Sequence, residues 1–212
     1  FVEKMIKDAP IDPATGQRVN PFASYGTPQK GDFLYKDING DGIIDDNDKY
    51  AVGHGLAPRF TYGFSFGAEW NGFDFACLFQ GNAGIKRYWQ DKFYRGCIDY
   101  GSVINKEIAE GAWREGRTDA KYPRLLTNLD TKNTQPSDFW VHNKSYLRLK
   151  NVQVGYKLPK KLLQRLDISQ LRIYTSLENM LTFTSYKGID PEINGTTYPT
   201  MKQMTVGVNV VF

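Results

Sequence analysis

Nowhere does this chain carry a run of about eighteen apolar residues, so a membrane-crossing helix is excluded. Strand-built membrane proteins remain open, because barrel strands alternate and average to mild hydropathy, and the mean hydropathy here is −0.50. Cysteine and histidine are scarce, at two each. Cys77 falls on an apolar strand face and Cys97 in a long connection, which disfavours a disulfide between them. His54 and His142 have no cysteine or serine partner at a recognisable spacing and read as ordinary surface histidines. Clustered basic charge is missing as well: the net charge is only +4, and beyond Lys160 and Lys161 beside a turn there is no footprint for nucleic acid. Phe1 to Pro10 shows no initiator methionine and no basic region followed by an apolar one, so no signal peptide is visible; an exported protein would have its beginning elsewhere. Nor do any two acids announce themselves as the paired carboxylates that a hydrolase needs, and no enzyme is expected.

What the chain does have is turns and aromatic rings. Gly numbers 20, and Phe, Tyr and Trp together make up 14% of 212 residues, a balance that suits a β-rich fold with exposed aromatic faces. From Pro58 to Trp70, Phe60, Tyr62, Phe64, Phe66, Ala68 and Trp70 alternate with Thr61, Gly63, Ser65, Gly67 and Glu69, a two-residue period that predicts a strand. Asn71-Gly72 follows, the strongest short hairpin signal. Beyond it Phe73, Phe75, Cys77 and Phe79 line a second strand, with Asp74, Ala76 and Gln80 opposite. A third strand is expected over Lys144 to Leu158, where Leu147 and Leu149 point one way and Val152, Val154 and Tyr156 the other. The alternation slips by one near Lys150 and Asn151, the mark of a β-bulge. After a turn or short helix at Pro159 to Ser169, a fourth strand spans about Gln170 to Asn179. The last runs from Thr200 to Phe212, with Met204, Val206, Val208, Val210 and Phe212 on one face. Two segments remain as long loops, 81–143 and 181–199; within the first, Ile104 to Trp113 has helical spacing. Residues 1–57 carry frequent Pro and Gly and read as an irregular loop segment, apart from a helical turn or two around Val2 to Lys7, and 58–212 holds the strands.

Asp37 to Asp48 is the sharpest local motif. Asp37, Asn39, Asp41, Ile43, Asp45 and Asp48 stand at positions 1, 3, 5, 7, 9 and 12 of a twelve-residue calcium loop, with Gly42 at position 6. A hard cation needs six or seven oxygens at about 2.3–2.6 Å, so the chain must wrap it and turn sharply. Asp48 replaces the usual Glu, a shorter reach, and no amphipathic helix precedes Asp37. The competing reading is an Asn/Asp/Gly-rich turn satisfied by its own side chains. Any bound Ca2+ is expected to be structural.

Two architectures accommodate these strands. One is a soluble, calcium-stabilised β-sandwich that binds carbohydrate through Trp89, Trp113 or Trp140. The other is part of a membrane barrel, whose apolar strand faces are covered by lipid and whose terminal aromatic sits at headgroup level. Counting strands back from a periplasmic Phe212 places Asn71-Gly72 and Pro159 to Ser169 on the periplasmic side. The calcium loop and both long loops then fall outside, as such barrels require. Five strands are too few to close a barrel, whose minimum is about eight.

Lys144-Ser145-Tyr146-Leu147-Arg148-Leu149-Lys150-Asn151-Val152, with Gly155-Tyr156-Lys157-Leu158-Pro159 after it and Leu171-Arg172-Ile173-Tyr174 running to Asn179-Met180-Leu181-Thr182, resembles the C-terminal barrel region of SusC/RagA-type TonB-dependent transporters. Gly31-Asp32 to Asp48, Phe60-Thr61-Tyr62-Gly63-Phe64, Phe79-Gln80-Gly81 and the final Phe212 look like the same family in the same order. The resemblance covers about 30–212, more weakly over 84–137. It implies an all-β outer-membrane protein of Bacteroidota-type bacteria, whose antiparallel up-and-down strands form part of a 22-stranded barrel with long extracellular loops. It also implies import of oligosaccharides or peptides with a SusD-like lipoprotein and energy from TonB, which would be contacted by a part of the protein not in this chain. Glu69, Asp74 and Gln80 would then face the lumen; no substrate-binding residue can be assigned.

Overall fold

The computed structural model describes residues 2–52, 57–89, 104–126, 132–164, 167–194 and 197–212. His54 and Cys97 lie outside them. Seven strands are present among the described residues: β1 (Phe60–Trp70), β2 (Phe73–Ala83), β3 (Lys86–Tyr88), β4 (Val141–Asn143), β5 (Tyr146–Lys157), β6 (Gln170–Thr184) and β7 (Gln203–Val211). The chain divides into two compact units, one of residues 1–53 and 88–141, the other of 54–87 and 142–212.

The second unit is an antiparallel sheet in the order β1-β2-β5-β6-β7. The β1–β2 hairpin closes at Asn71-Gly72, both with positive φ (49° and 86°), as a two-residue turn with a twist matching its strands demands. Glycine adopts that conformation without a steric cost. The register then sorts the side chains. Rows such as Phe64–Phe79–Leu149–Leu181 and Phe66–Cys77–Val152–Leu177–Met204 run across the sheet on one face. Phe64 and Phe79 stack with ring centroids 4.8 Å apart, and Phe73 meets Tyr156 at 4.6 Å. This surface stays exposed: Phe66 is 60% accessible, Trp70 78%, Val206 64%. Among the described residues this face carries its rings and aliphatic side chains exposed, whereas a sandwich would bury them.

The bulge expected near Lys150 is present, and it corrects one expectation. Lys150 is an extra residue between Leu149, opposite Phe79, and Asn151, opposite Leu78. It re-phases the strand, so Leu147 and Leu149 lie on the same face as Val152, Val154 and Tyr156 rather than on the opposite one. In β6 the compensating irregularity falls at Asn179 and Met180, where Asn179 has a φ of 56°. Pairing resumes beyond it with Leu149↔Leu181 and Leu147↔Phe183, so β6 continues five residues past Asn179 and the connection to β7 is 185–202 rather than 181–199. Likewise β2 runs to Ala83.

The first unit is mostly irregular. It contains short helices at Val2–Asp8 and Lys106–Gly111, in place of the longer Ile104–Trp113 span, which Gly111 and the extended Ala112 cut short. Its core gathers Phe22, Ile44, Trp89, Ile108, Tyr122 and Trp140. The Asp32 carboxylate clasps it from inside: Arg124 donates two hydrogen bonds to it at 2.5 and 3.0 Å, Asn133 one at 2.9 Å, and the Gln29 N–H another at 2.9 Å.

Candidate functional site

The face of the large sheet opposite the aromatic one is polar, and its charges are paired along it. Asp74, on β2, receives the Arg172 guanidinium of β6, with Nε to Oδ2 at 2.8 Å and a second, shorter contact between Nη2 and Oδ1; Arg172 also donates to Gln153 at 3.2 Å. Glu69 accepts from Lys157 at 3.3 Å. Asn151 donates to Ser176 at 2.9 Å. Glu69, Asp74 and Gln80, the residues expected on the wet side, all lie there: Glu69 opposite Asp74, and Gln80 opposite Arg148. Ionic side chains on one surface and rings on the other make this sheet a wall between an aqueous compartment and an apolar one.

Sequence reasoning missed the strongest polar cluster on that wall. Arg148 (4% exposed) donates through Nε to Thr182 Oγ1 at 2.8 Å and through Nη2 to Asp190 Oδ1 at 2.8 Å, and its Nη1 lies 3.1 Å from Glu192. Lys150 reaches Glu192 at 2.8 Å, and Lys144 donates to Asn194 at 2.8 Å. Burial pushes the Asp190 carboxyl up, but the Glu192 N–H, Arg148 and the Thr200 N–H outweigh it and hold it below the usual range. No local pattern links Arg148 to an acid forty-two residues on. The one available signal was the pair of acids Asp190 and Glu192 in the 185–202 connection that follows a strand pair carrying Arg148 and Lys150.

Asp37 to Asp48 folds as a tight loop around its own carboxylates. Asp37 accepts from the Gly40 N–H at 2.6 Å and the Gly42 N–H at 2.8 Å; Asn39 accepts from Asp41 N–H and Asp41 from Ile43 N–H. Gly42 has a φ of 79°, the left-handed turn that position 6 of a calcium loop requires. Asp48 accepts from Ile38 N–H at 2.7 Å and closes a capping box with Asp45. Its burial raises the carboxyl, and the Ile38, Asp45 and Asn39 N–H groups outweigh that and lower it. Among the described residues no three acidic, histidine or cysteine side chains are gathered as a preformed metal cage. Asp48 Oδ1 accepts from both the Ile38 and Asn39 N–H groups, while Asp37 Oδ1 and Oδ2, Asn39 Oδ1 and Asp41 Oδ1 each accept one backbone N–H and keep a second lone pair, so turn hydrogen bonds and cation ligation are compatible there. The loop also walls a cavity of about 460 Å3 with Tyr25, Leu34, Tyr35 and Tyr50. Beside it the Tyr25 hydroxyl donates to Asp46 at 2.5 Å; burial first, and then the Asp46 charge, push this phenol well above its ordinary range.

Of the tryptophans offered for sugar stacking, two are buried and the third is half-buried. Trp89 is 3% exposed and Trp140 1%, and Trp113 lies against Gly31.

No protein-family model matches the chain. Among curated proteins it is 30% identical over 207 residues to TonB-dependent receptor P3 of Formosa agariphila, covering 88% of this chain and 20% of that one. It is 26% identical to TonB-dependent receptor SusC of Bacteroides thetaiotaomicron over 84% of this chain and 17% of that one. Among solved structures it superposes on the RagAB peptide transporter with a TM-score of 0.62 at 29% identity, over 80% of this chain and 19% of the other. On the closed-closed state of the RagAB peptide importer the TM-score is 0.60 at 27% identity, over 96% of this chain and 20% of that one. The chain thus spans about a fifth of the length of the relatives it matches. Those relatives are named receptors and importers, not enzymes. A sheet with one aromatic and one ionic face, matched over most of its length, places this chain in the outer membrane as a barrel segment of the SusC/RagA-type TonB-dependent receptors.

Proposed function

We propose that this chain forms part of the wall and outer loops of an importer that draws oligosaccharides or peptides across the outer membrane. The observation that carries the reading is the two-faced sheet: aromatic rings toward lipid, and Asp74–Arg172 and Glu69–Lys157 pairs toward an aqueous lumen. The matched receptors and the RagAB peptide importer support it. In this reading the full receptor works with a SusD-like surface lipoprotein and takes energy from TonB through a region outside this chain. The 1–57 and long-loop segments lie outside the cell, and the chain contributes no catalytic group.

Ca2+ in the Asp37–Asp48 loop belongs to the same proposal. Asp37, Asn39, Asp41, the Ile43 carbonyl, Asp45 and Asp48 would supply oxygens, and the cation would brace the loop. The import reading is tested by deleting the gene for the full receptor and measuring uptake of fluorescently labelled oligosaccharides and peptides by the cells. Loss of uptake of one class supports it; unchanged uptake of both overturns it.

A further inference from the structure

The 185–202 connection leaves β6 and re-enters β7 at the end of the sheet opposite the Asn71-Gly72 turn, and a connection eighteen residues long has room to swing. It does not hang free here. Its acids Asp190 and Glu192 reach back to the polar face and meet Arg148, whose cross-strand partners there are Gln80 and Thr182. The Asp190 carboxylate is engaged through both oxygens, whereas Arg148 Nη1 and Glu192 Oε1, buried at the junction, make ion-pair contacts without a hydrogen bond. Asp190 Oδ1 takes Arg148 Nη2 and the Glu192 N–H, both at 2.8 Å, while Oδ2 takes the Thr200 N–H at 3.0 Å, which closes the connection on itself. At 5% exposure for Asp190 and 4% for Arg148, water competes little with the pair. Lys150, the residue that makes the β5 bulge, adds a second cation on Glu192.

We propose that Arg148 is a positioning residue that latches the 185–202 connection onto the polar face, making it a fixed overhang of the lumen wall and not a lid. The latch is a geometric claim; it rests on the import reading only where that face is taken to line the passage. The bulge has a second purpose in this arrangement, since it places Lys150 beside Arg148 without turning Leu149 away from the apolar face.

The test uses the full-length receptor in outer membranes, with native cysteines replaced by alanine and a reporter at the buried Pro191 (Pro191→Cys). Labelling by a membrane-impermeant maleimide is slow while the latch holds. Arg148→Met is expected to speed it about tenfold or more by local opening, and Arg148→Lys to restore part of the protection, because an ammonium keeps the charge but not the forked geometry. Asn151→Ala, which cuts a neighbouring polar-face hydrogen bond outside the latch, is expected to leave labelling unchanged. Resistance of the barrel to unfolding in cold detergent confirms that each variant is folded. Equal labelling of Arg148→Met and the parent in folded barrels overturns the latch, as does acceleration by Asn151→Ala equal to that by Arg148→Met. Uptake is measured separately, so a receptor that imports neither substrate class still reports on the latch.

Discussion

Replacing Val154 by arginine separates lipid from water on the aromatic face more sharply than any deletion. Val154 is 47% exposed and stands between Phe75 and Thr175. If water lay over it, the change would fall among ordinary surface substitutions, within about 0.5 kcal/mol. Lipid changes the magnitude, since an arginine at the bilayer midplane of a barrel costs about 2–4 kcal/mol. The row through Val152 crosses the middle of β1, β2, β5 and β6. Val154 is two residues beyond it, about 7 Å along the strand and about 5 Å in depth at a tilt near 45°. That lies well inside an apolar band about 25 Å tall, so we expect a cost of about 2 kcal/mol, roughly thirty-fold in the folding equilibrium. The control is Ala76→Arg on the opposite face, where the cross-strand neighbours are Gly67 and Gln153 and no basic group is among them; its expected effect is within about 0.5 kcal/mol. The assay is a urea titration of the full-length receptor folding into phosphatidylcholine vesicles, read by heat-modifiable electrophoretic mobility. Equal midpoints for the two variants would refute the assignment of the aromatic face to hydrocarbon.

Chelation of divalent cations from the purified receptor is expected to expose the Asp37–Asp48 loop to trypsin at Lys36 or Lys49, and Asp37→Ala to reproduce that with Ca2+ present; indifference of the cleavage rate to both would remove the cation from the loop. Asp32 is raised by burial but lowered further by Arg124, Gln29 and Asn133, so its folded pKa lies below its unfolded value. Its contribution is therefore complete above the unfolded pKa near 4 and is lost as pH falls through the folded value: proteolytic resistance of the loop unit should be flat from pH 7 to about 5 and drop only in stronger acid, and a decline already at pH 6 would contradict this sign. Arg172→Met should leave Asp74 unpaired on the wet face and lower the urea midpoint, while the double change with Asp74→Leu should recover most of the loss; a double variant no better than the single one would show that the pair is not the source.

The sheet was legible because its pattern is local. Alternation in Phe60–Trp70, the Asn71-Gly72 turn and the slip at Lys150 each depend on neighbours a few residues apart, and each appears in the fold. What periodicity could not say is which way the slip re-phases the strand, because an inserted residue and a rotated one leave the same break in sequence. The fourth strand was expected to end near Asn179, yet the positive φ of that residue is absorbed in the bulge and pairing continues to Thr184. The polar latch was invisible since Arg148 and Asp190 meet only after β6 has returned alongside β5. Trp89 and Trp140 misled as candidate sugar platforms because ring chemistry is the same in a core as on a surface; burial decides, and no spacing encodes it.

The single inserted residue at Lys150 constrains how this strand can change over time. Removing it would invert everything before it, sending Leu147 and Leu149 into the water and Arg148 toward the acyl chains, like a reading-frame error written in three dimensions. Length changes in β5 should therefore survive only in pairs, whereas the 185–202 connection is free to vary by any number of residues that still lets its acids reach Arg148.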